Sequence, residues 1–229
     1  MKNFIKFLFV ILFIFQLTGC GLDALNPLSM FTSSSDSSET YKVTLLSTWS
    51  GTTHPKDFPA NASLSKLIGI NHNSNASLWS DQATAISELK KFAEGGDESD
   101  MLTLINSIID NDNARNVISA DGLASTPGSI TLNIEVDDDF PLVTLISKIS
   151  PSPDWFVGVS GLSLIENEEW VETKELDLYV WDAGTDSGTS YESIDIETLP
   201  PELIHASDAG NFMVNGVRTP IGTLTFERQ

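Results

Sequence analysis

Apolar and polar residues divide the chain into three stretches of different texture. Residues 7–15 are an unbroken apolar run behind Lys2 and Lys6. The run is too short to span a bilayer comfortably as a helix, and with its basic start it reads as a secretory signal covering residues 1–19. Residues 20–40 lack apolar periodicity and hold Thr32-Ser33-Ser34-Ser35-Asp36-Ser37-Ser38, the composition of a flexible tether. Short alternating segments dominate residues 41–229. Ile130, Leu132, Ile134 and Val136 alternate with Thr131, Asn133, Glu135 and Asp137, which predicts a strand with one buried face.

Further strands are predicted over residues 41–49, 142–149, 155–159, 162–165, 176–180 and 221–226, with turn residues between them. Pro55 and Pro59 make residues 51–62 an irregular loop. A helix is predicted over 81–94, where Ala85, Ile86, Leu89 and Phe92 share a face and Gly95 ends it. A second follows over 100–109, with Ser99 as its N-cap. This spacing predicts one mainly β domain, an antiparallel β-sandwich with one or two short helices in a connection.

The signal ends in Leu17-Thr18-Gly19-Cys20, and Cys20 is the single cysteine of the chain. This exit resembles the lipobox of bacterial lipoproteins, in which the cysteine carries the lipid and becomes the first mature residue. The alternative is an ordinary signal that happens to contain a cysteine. Lipidation at Cys20 implies anchorage on a membrane without crossing it, since several acyl chains hold far more firmly than one. In a cell with two membranes, Gly21 after the cysteine favours the outer one. No cysteine then remains for a disulfide. The 32 acidic against 12 basic residues give a formal charge of −20, a surface that repels nucleic acid and attracts cations.

Candidate chemistry concentrates in Trp181-Asp182-Ala183-Gly184-Thr185-Asp186-Ser187-Gly188-Thr189, where two carboxylates stand four residues apart among glycines. Read with Thr53-His54-Pro55-Lys56-Asp57-Phe58-Pro59, Phe92-Ala93-Glu94-Gly95-Gly96 and Pro151-Ser152-Pro153-Asp154-Trp155-Phe156-Val157-Gly158-Val159, it closely resembles the spondin domain over residues 41–223. That module is the N-terminal adhesion domain of F-spondin and mindin. The resemblance implies an eight-stranded antiparallel β-sandwich and a calcium ion held at Asp154, Asp182 and Asp186. It also implies a role in adhesion or in binding a surface protein or glycan. Val180 stands where the animal domains usually have proline. Ser160 stands where they often have aspartate, which puts an outer acid of the site in doubt.

The residues agree with a cation on physical grounds. Crowded carboxylates must take up protons or a positive ion, and Ca²⁺ accepts six to eight oxygens from carboxylates, carbonyls and water. Gly184 and Gly188 are expected to let the backbone turn there. Zinc is disfavoured because His54, His72 and His205 lie on scattered segments. Two other readings stay open: aspartates that only close turns, and an aspartic-type peptidase suggested by Asp186-Ser187-Gly188-Thr189. No G-x-S-x-G, P-loop or H-E-x-x-H pattern occurs, and no catalysis is expected. Glu135, beside Asp137, Asp138 and Asp139, is a possible ligand contact or part of a solvated acidic turn. The five tryptophans are potential sugar platforms, most of them expected in the core. A purely structural role in the envelope is the remaining class.

Overall fold

The computed structural model describes residues Ser38–Gln229, so the expected signal, Cys20 and nearly all of the expected tether lie outside the described residues. In chain order the elements are β1 (Ser38–Ser47), β2 (Ser63–Leu64), β3 (Leu67–His72), α1 (Ser87–Gly95), α2 (Ser99–Asp110), β4 (Ala114–Ala120), β5 (Gly128–Asp137), β6 (Leu142–Ser150) and β7 (Trp155–Ser163). They continue with β8 (Ile165–Glu166), β9 (Glu169–Trp170), β10 (Thr173–Asp177), β11 (Val180–Asp182), β12 (His205–Ala206), β13 (Met213–Val214), β14 (Val217–Arg218) and β15 (Gly222–Arg228). Eight of the strands have five residues or more, which agrees with the expected sandwich.

One sheet has the order β10-β15-β1-β5, and the other has β12-β11-β7-β6-β3-β4 with β2 against β6. Their pairings are antiparallel throughout. The period-2 geometry of strands gives the second sheet two apolar faces. Leu67, Leu145, Trp155 and Val157 face the first sheet and join Tyr41, Val43, Leu45, Leu224 and Phe226 in one core. Ile68, Ile70, Ile146 and Phe156 point the other way and meet Leu89 and Phe92 of α1 and Met101 and Ile105 of α2 in a second core. The described part is thus three layers, sheet on sheet on helices. Among the described residues, every buried member of both cores lies at Tyr41 or later, and the two cores pack all the layers of this part together.

The layering explains where alternation fails as a guide. β3 is buried at every position because both of its faces are covered, so its residues do not alternate and no strand was expected there. β4 was likewise unforeseen; it pairs with β3 from Leu67↔Ala120 to Asn71↔Asn116. The run 176–180 is not one strand. Asp177 ends β10 in the first sheet and Val180 opens β11 in the second, so the chain changes sheets at Leu178 and Tyr179. Conversely, 155–159 runs on as β7 to Ser163 through Gly161, whose φ of 58° accommodates a kink, and the expected strand 162–165 is divided between β7 and β8 at Leu164. Ser38 to Thr40, expected in the tether, are instead strand, paired with Asp137, Val136 and Glu135.

The helix expected over 81–94 begins only at Ser87. Residues before it are held out of the helix: Thr84 bridges Leu203, Ile204 N–H donates to Ala83 O, and Gln82 has a left-handed φ of 61°. Its closing residue is Gly96, with φ 73° and its N–H on Phe92 O, one position after the expected Gly95. α2 matches its expected span but not its cap. Ser99 is the first helical residue, and Asp97 Oδ1 accepts its N–H and hydroxyl at 2.9 and 2.7 Å.

Candidate functional site

The three predicted aspartates come together because β7 and β11 are register partners. Asp154 immediately precedes β7, and Trp155 pairs with Asp182 at the end of β11. Ser152 closes the turn before Asp154: its Oγ donates to Ile149 O at 2.6 Å and accepts Trp155 N–H at 3.3 Å. Beyond Asp182 the chain reverses at Gly184, whose φ is 71° and where a Cβ would approach Glu202 O to 2.5 Å. Only glycine suits that position. Gly188 is needed for space instead, since a Cβ there would lie 2.7 Å from the side chains of Pro153 and Ser193.

This reversal points a small nest of donors at Asp154. Its Oδ2 accepts Thr185 N–H at 2.7 Å, Asp186 N–H at 3.0 Å and the Thr185 hydroxyl at 3.2 Å. Asp182 accepts Gly184 N–H on Oδ1 at 2.8 Å and the Trp155 indole N–H on Oδ2 at 3.0 Å. Asp186 Oδ1 accepts Gly188 N–H at 2.7 Å and Ile196 N–H at 3.4 Å. Asp154 is fully buried, and its Oδ1 has no hydrogen-bond partner.

The electrostatics follow from burial. Desolvation raises the Asp154 carboxyl above its ordinary range, with the Thr185 and Asp186 N–H groups pulling the other way and the Asp186 charge adding to the rise. Asp182 is pushed up to about 6, first by burial and then by the charge of Asp154. A divalent cation would relieve both. Ionised carboxylates have about four acceptor positions each, so the donors already on Asp182 and Asp186 leave room for an ion. Among the described residues, however, no three His, Cys, Asp or Glu side chains are already gathered into a metal-holding group. The donor set fits a hard cation that takes oxygen ligands, and the orphaned Oδ1 of Asp154 is the atom that most requires one.

Two further charged residues belong to this neighbourhood and were missed in the sequence. Glu94, at the end of α1, is raised by burial, with the charge of Lys90 pulling the other way and that of Asp154 adding to the rise. Lys148 on β6 is buried, donates to Ser152 O and Oγ at 3.1 and 3.2 Å, and also bonds Ala93 O. Burial lowers its ammonium to about 8, against the charges of Asp154, Glu94 and Asp186, which support it. The Phe92-Ala93-Glu94 motif carried a signal for Glu94, but nothing in the local pattern of β6 distinguishes Lys148 from a solvent-facing lysine.

The other candidates fall elsewhere. Ser160 lies six residues along β7 from Asp154, about 20 Å at the usual strand rise, so its identity removes no acid from this cluster. Glu135 is exposed on β5 in the other sheet and lines a separate polar groove of about 290 Å³ with Asn71, Asn116 and Asn133. Its neighbour Asp137 is buried, pairs with Arg115 and accepts the N–H groups of Asp139 and Phe140 at 3.1 and 2.9 Å. His54 and His72 are buried hydrogen-bonders, with contacts to Thr219 O at 3.3 Å and Thr144 Oγ1 at 2.8 Å, and burial lowers both imidazoles. His205 is brought opposite Asp182 on β12, a proximity its sequence position did not suggest. Trp49, Trp79 and Trp155 are core residues, as expected of most of the five.

The family model described as Spondin_N matches residues 39–212. Spondin-2 of Homo sapiens is 35% identical over 168 residues, which cover 72% of this chain and 51% of that protein. Spondin-2 of Rattus norvegicus matches to the same extent. Spondin-1 of Homo sapiens is 37% identical over 174 residues, 72% of this chain and 21% of that longer protein. The chain therefore spans about half of one relative and a fifth of the other. Matched over most of its length and built as an antiparallel sandwich, this chain belongs to the spondin N-terminal domain family.

Proposed function

We propose that this chain is a calcium-binding adhesion or ligand-binding module, exported and held at the surface of a bacterial cell envelope by lipid on Cys20. The family supports an extracellular binding role, as its animal members act in matrix and cell adhesion. The observation that carries the calcium reading is the fully buried, partnerless Asp154 Oδ1 beside the Asp182 and Asp186 carboxylates. Those three side chains would hold the ion. Bound calcium would supply the positive charge that lets all three remain ionised while buried, and so join the turn before β7 to the loop after β11.

A thermal melt of the chain from Gly21 onward, with calcium, with magnesium and with chelator, tests this. External calcium modules bind at about 10⁻⁴ to 10⁻³ M. At a hundred times the dissociation constant the ion adds about 2.7 kcal/mol. A calcium-selective rise that Asp182→Asn and Asp186→Asn both lose is the expected result; no rise in the unaltered protein would reject the ion. A specific calcium-dependent partner in glycan or protein pull-downs separates a binding module from an inert envelope component. Catalysis by an aspartic dyad is not favoured, because the Asp182 and Asp186 oxygens bond to N–H groups and not to each other.

A further inference from the structure

A second site lies where the chain passes from one sheet to the other, and it does not depend on calcium. Between β10 and β11 a cleft of about 340 Å³ opens, walled by Trp79, Tyr179 and Trp181 and floored by Leu176 and Leu224. The walls are preorganised: Trp79 stands edge-on to both Phe156 and Trp181, with ring centroids 5.0 Å apart in each pair. At its mouth are the exposed carboxylates Asp81 and Asp177. Asp81 accepts the Gln82 amide at 3.0 Å and Asp177 the Tyr179 hydroxyl at 3.4 Å. Neither forms a salt bridge among the described residues, and no Lys, Arg or His lines the cleft.

Aromatic walls, two carboxylates and no cation select a positively charged group on an apolar stem. The planar guanidinium suits this better than an ammonium, because it stacks on aromatic rings and forks to a carboxylate. The volume sits near the lower end of the range of about 300–1,000 Å³ for small-molecule sites, which matches a side chain more closely than a large ligand. One side of the cleft is strand. The β11–β7 ladder runs from Asp182↔Trp155 to Val180↔Val157 and stops, while Gly158, Val159 and Ser160 of β7 continue along the cleft. An extended peptide can lie along such an unpaired edge. The formal charge of −20 draws a basic segment toward it. We propose that this cleft receives an arginine side chain presented by an extended, basic segment of a protein partner.

The test follows the indole N–H signals of the five tryptophans by NMR in the ¹⁵N-labelled chain from Gly21 onward, which retains both cores. The probes are acetyl-Gly-Arg-Gly-amide and its citrulline counterpart, which has the same shape without the charge. Trp79 and Trp181 are expected to shift with the arginine peptide, in calcium and in chelator alike. Citrulline is expected to bind about tenfold more weakly. The double change Asp81→Asn with Asp177→Asn, at two exposed positions, should erase that preference while the Trp49 and Trp155 signals stay in place as a check on folding. Absence of shifts at Trp79 and Trp181, equal response to the two peptides, or a preference that survives the double change would each overturn the proposal. So would shifts seen only with calcium, which would assign the binding to the aspartate cluster.

Discussion

Two acidic clusters, Asp137 with its turn and Asp154 with the loop after β11, are similarly dense in carboxylates and are resolved in opposite ways. Asp137 is buried but complete: Arg115 neutralises it and two backbone N–H groups occupy its other oxygen. Asp154 is buried and incomplete, with three donors on Oδ2 and none on Oδ1. Lys148 partly offsets the charge around Asp154, yet its ammonium is spent on Ala93 and Ser152. What marks a candidate ion site is therefore an unmet acceptor in a dry place, since a buried polar atom without a partner costs about 1–3 kcal/mol by mutational measures.

The comparison breaks most visibly if Asp154 proves dispensable. Asp154→Ala would orphan two backbone N–H groups and a hydroxyl, so a loss of about 3 kcal/mol is expected by denaturant unfolding in chelator, and a larger one in calcium because the ion is lost as well. Next in size is the calcium increment of about 2.7 kcal/mol, which pH should modulate with a definite sign. The folded pKa values of Asp154 and Asp182 are raised, so stability is greatest where both are protonated, below the ordinary carboxyl range near 4. It declines as pH rises through about 6 for Asp182. Melts in chelator should therefore fall from pH 4 to pH 7, and calcium should add more at pH 7 than at pH 5, because protons compete for the same oxygens. A calcium increment independent of pH would place the ion elsewhere.

At the other cluster, Asp137→Ala should cost about 1–2 kcal/mol through the lost turn cap and ion pair, and should leave the calcium increment unchanged. A reduced increment would mean that the two regions are not independent. Least of all, Lys42→Ala removes the exposed Lys42–Glu227 pair of β1 and β15 and should change stability by less than about 0.5 kcal/mol.

How far residues announced their places depended on how many neighbours decided them. β5 was legible because one of its faces meets the other sheet and its period is plain. β3 was not, because two layers cover it and its alternation is erased. The helix over 81–94 was overdrawn because its first turn is claimed by backbone bonds to residues 203–204, more than a hundred positions away. At the aspartate cluster, family motifs pointed to Asp154, Asp182 and Asp186, but neither the isolation of Oδ1 nor the arrival of Glu94, Lys148 and His205 could be read locally.

By itself the sequence determined the mainly β class, the antiparallel alternation, the acidic surface and the motifs that mark the family, because these rest on residue type and short spacing. Tertiary structure alone decided which carboxylate is satisfied and which is not, and it made the aromatic cleft at the crossing from β10 to β11. Both depend on register and burial between segments far apart in the chain, and strand pairing sets those distances only when the sheets assemble.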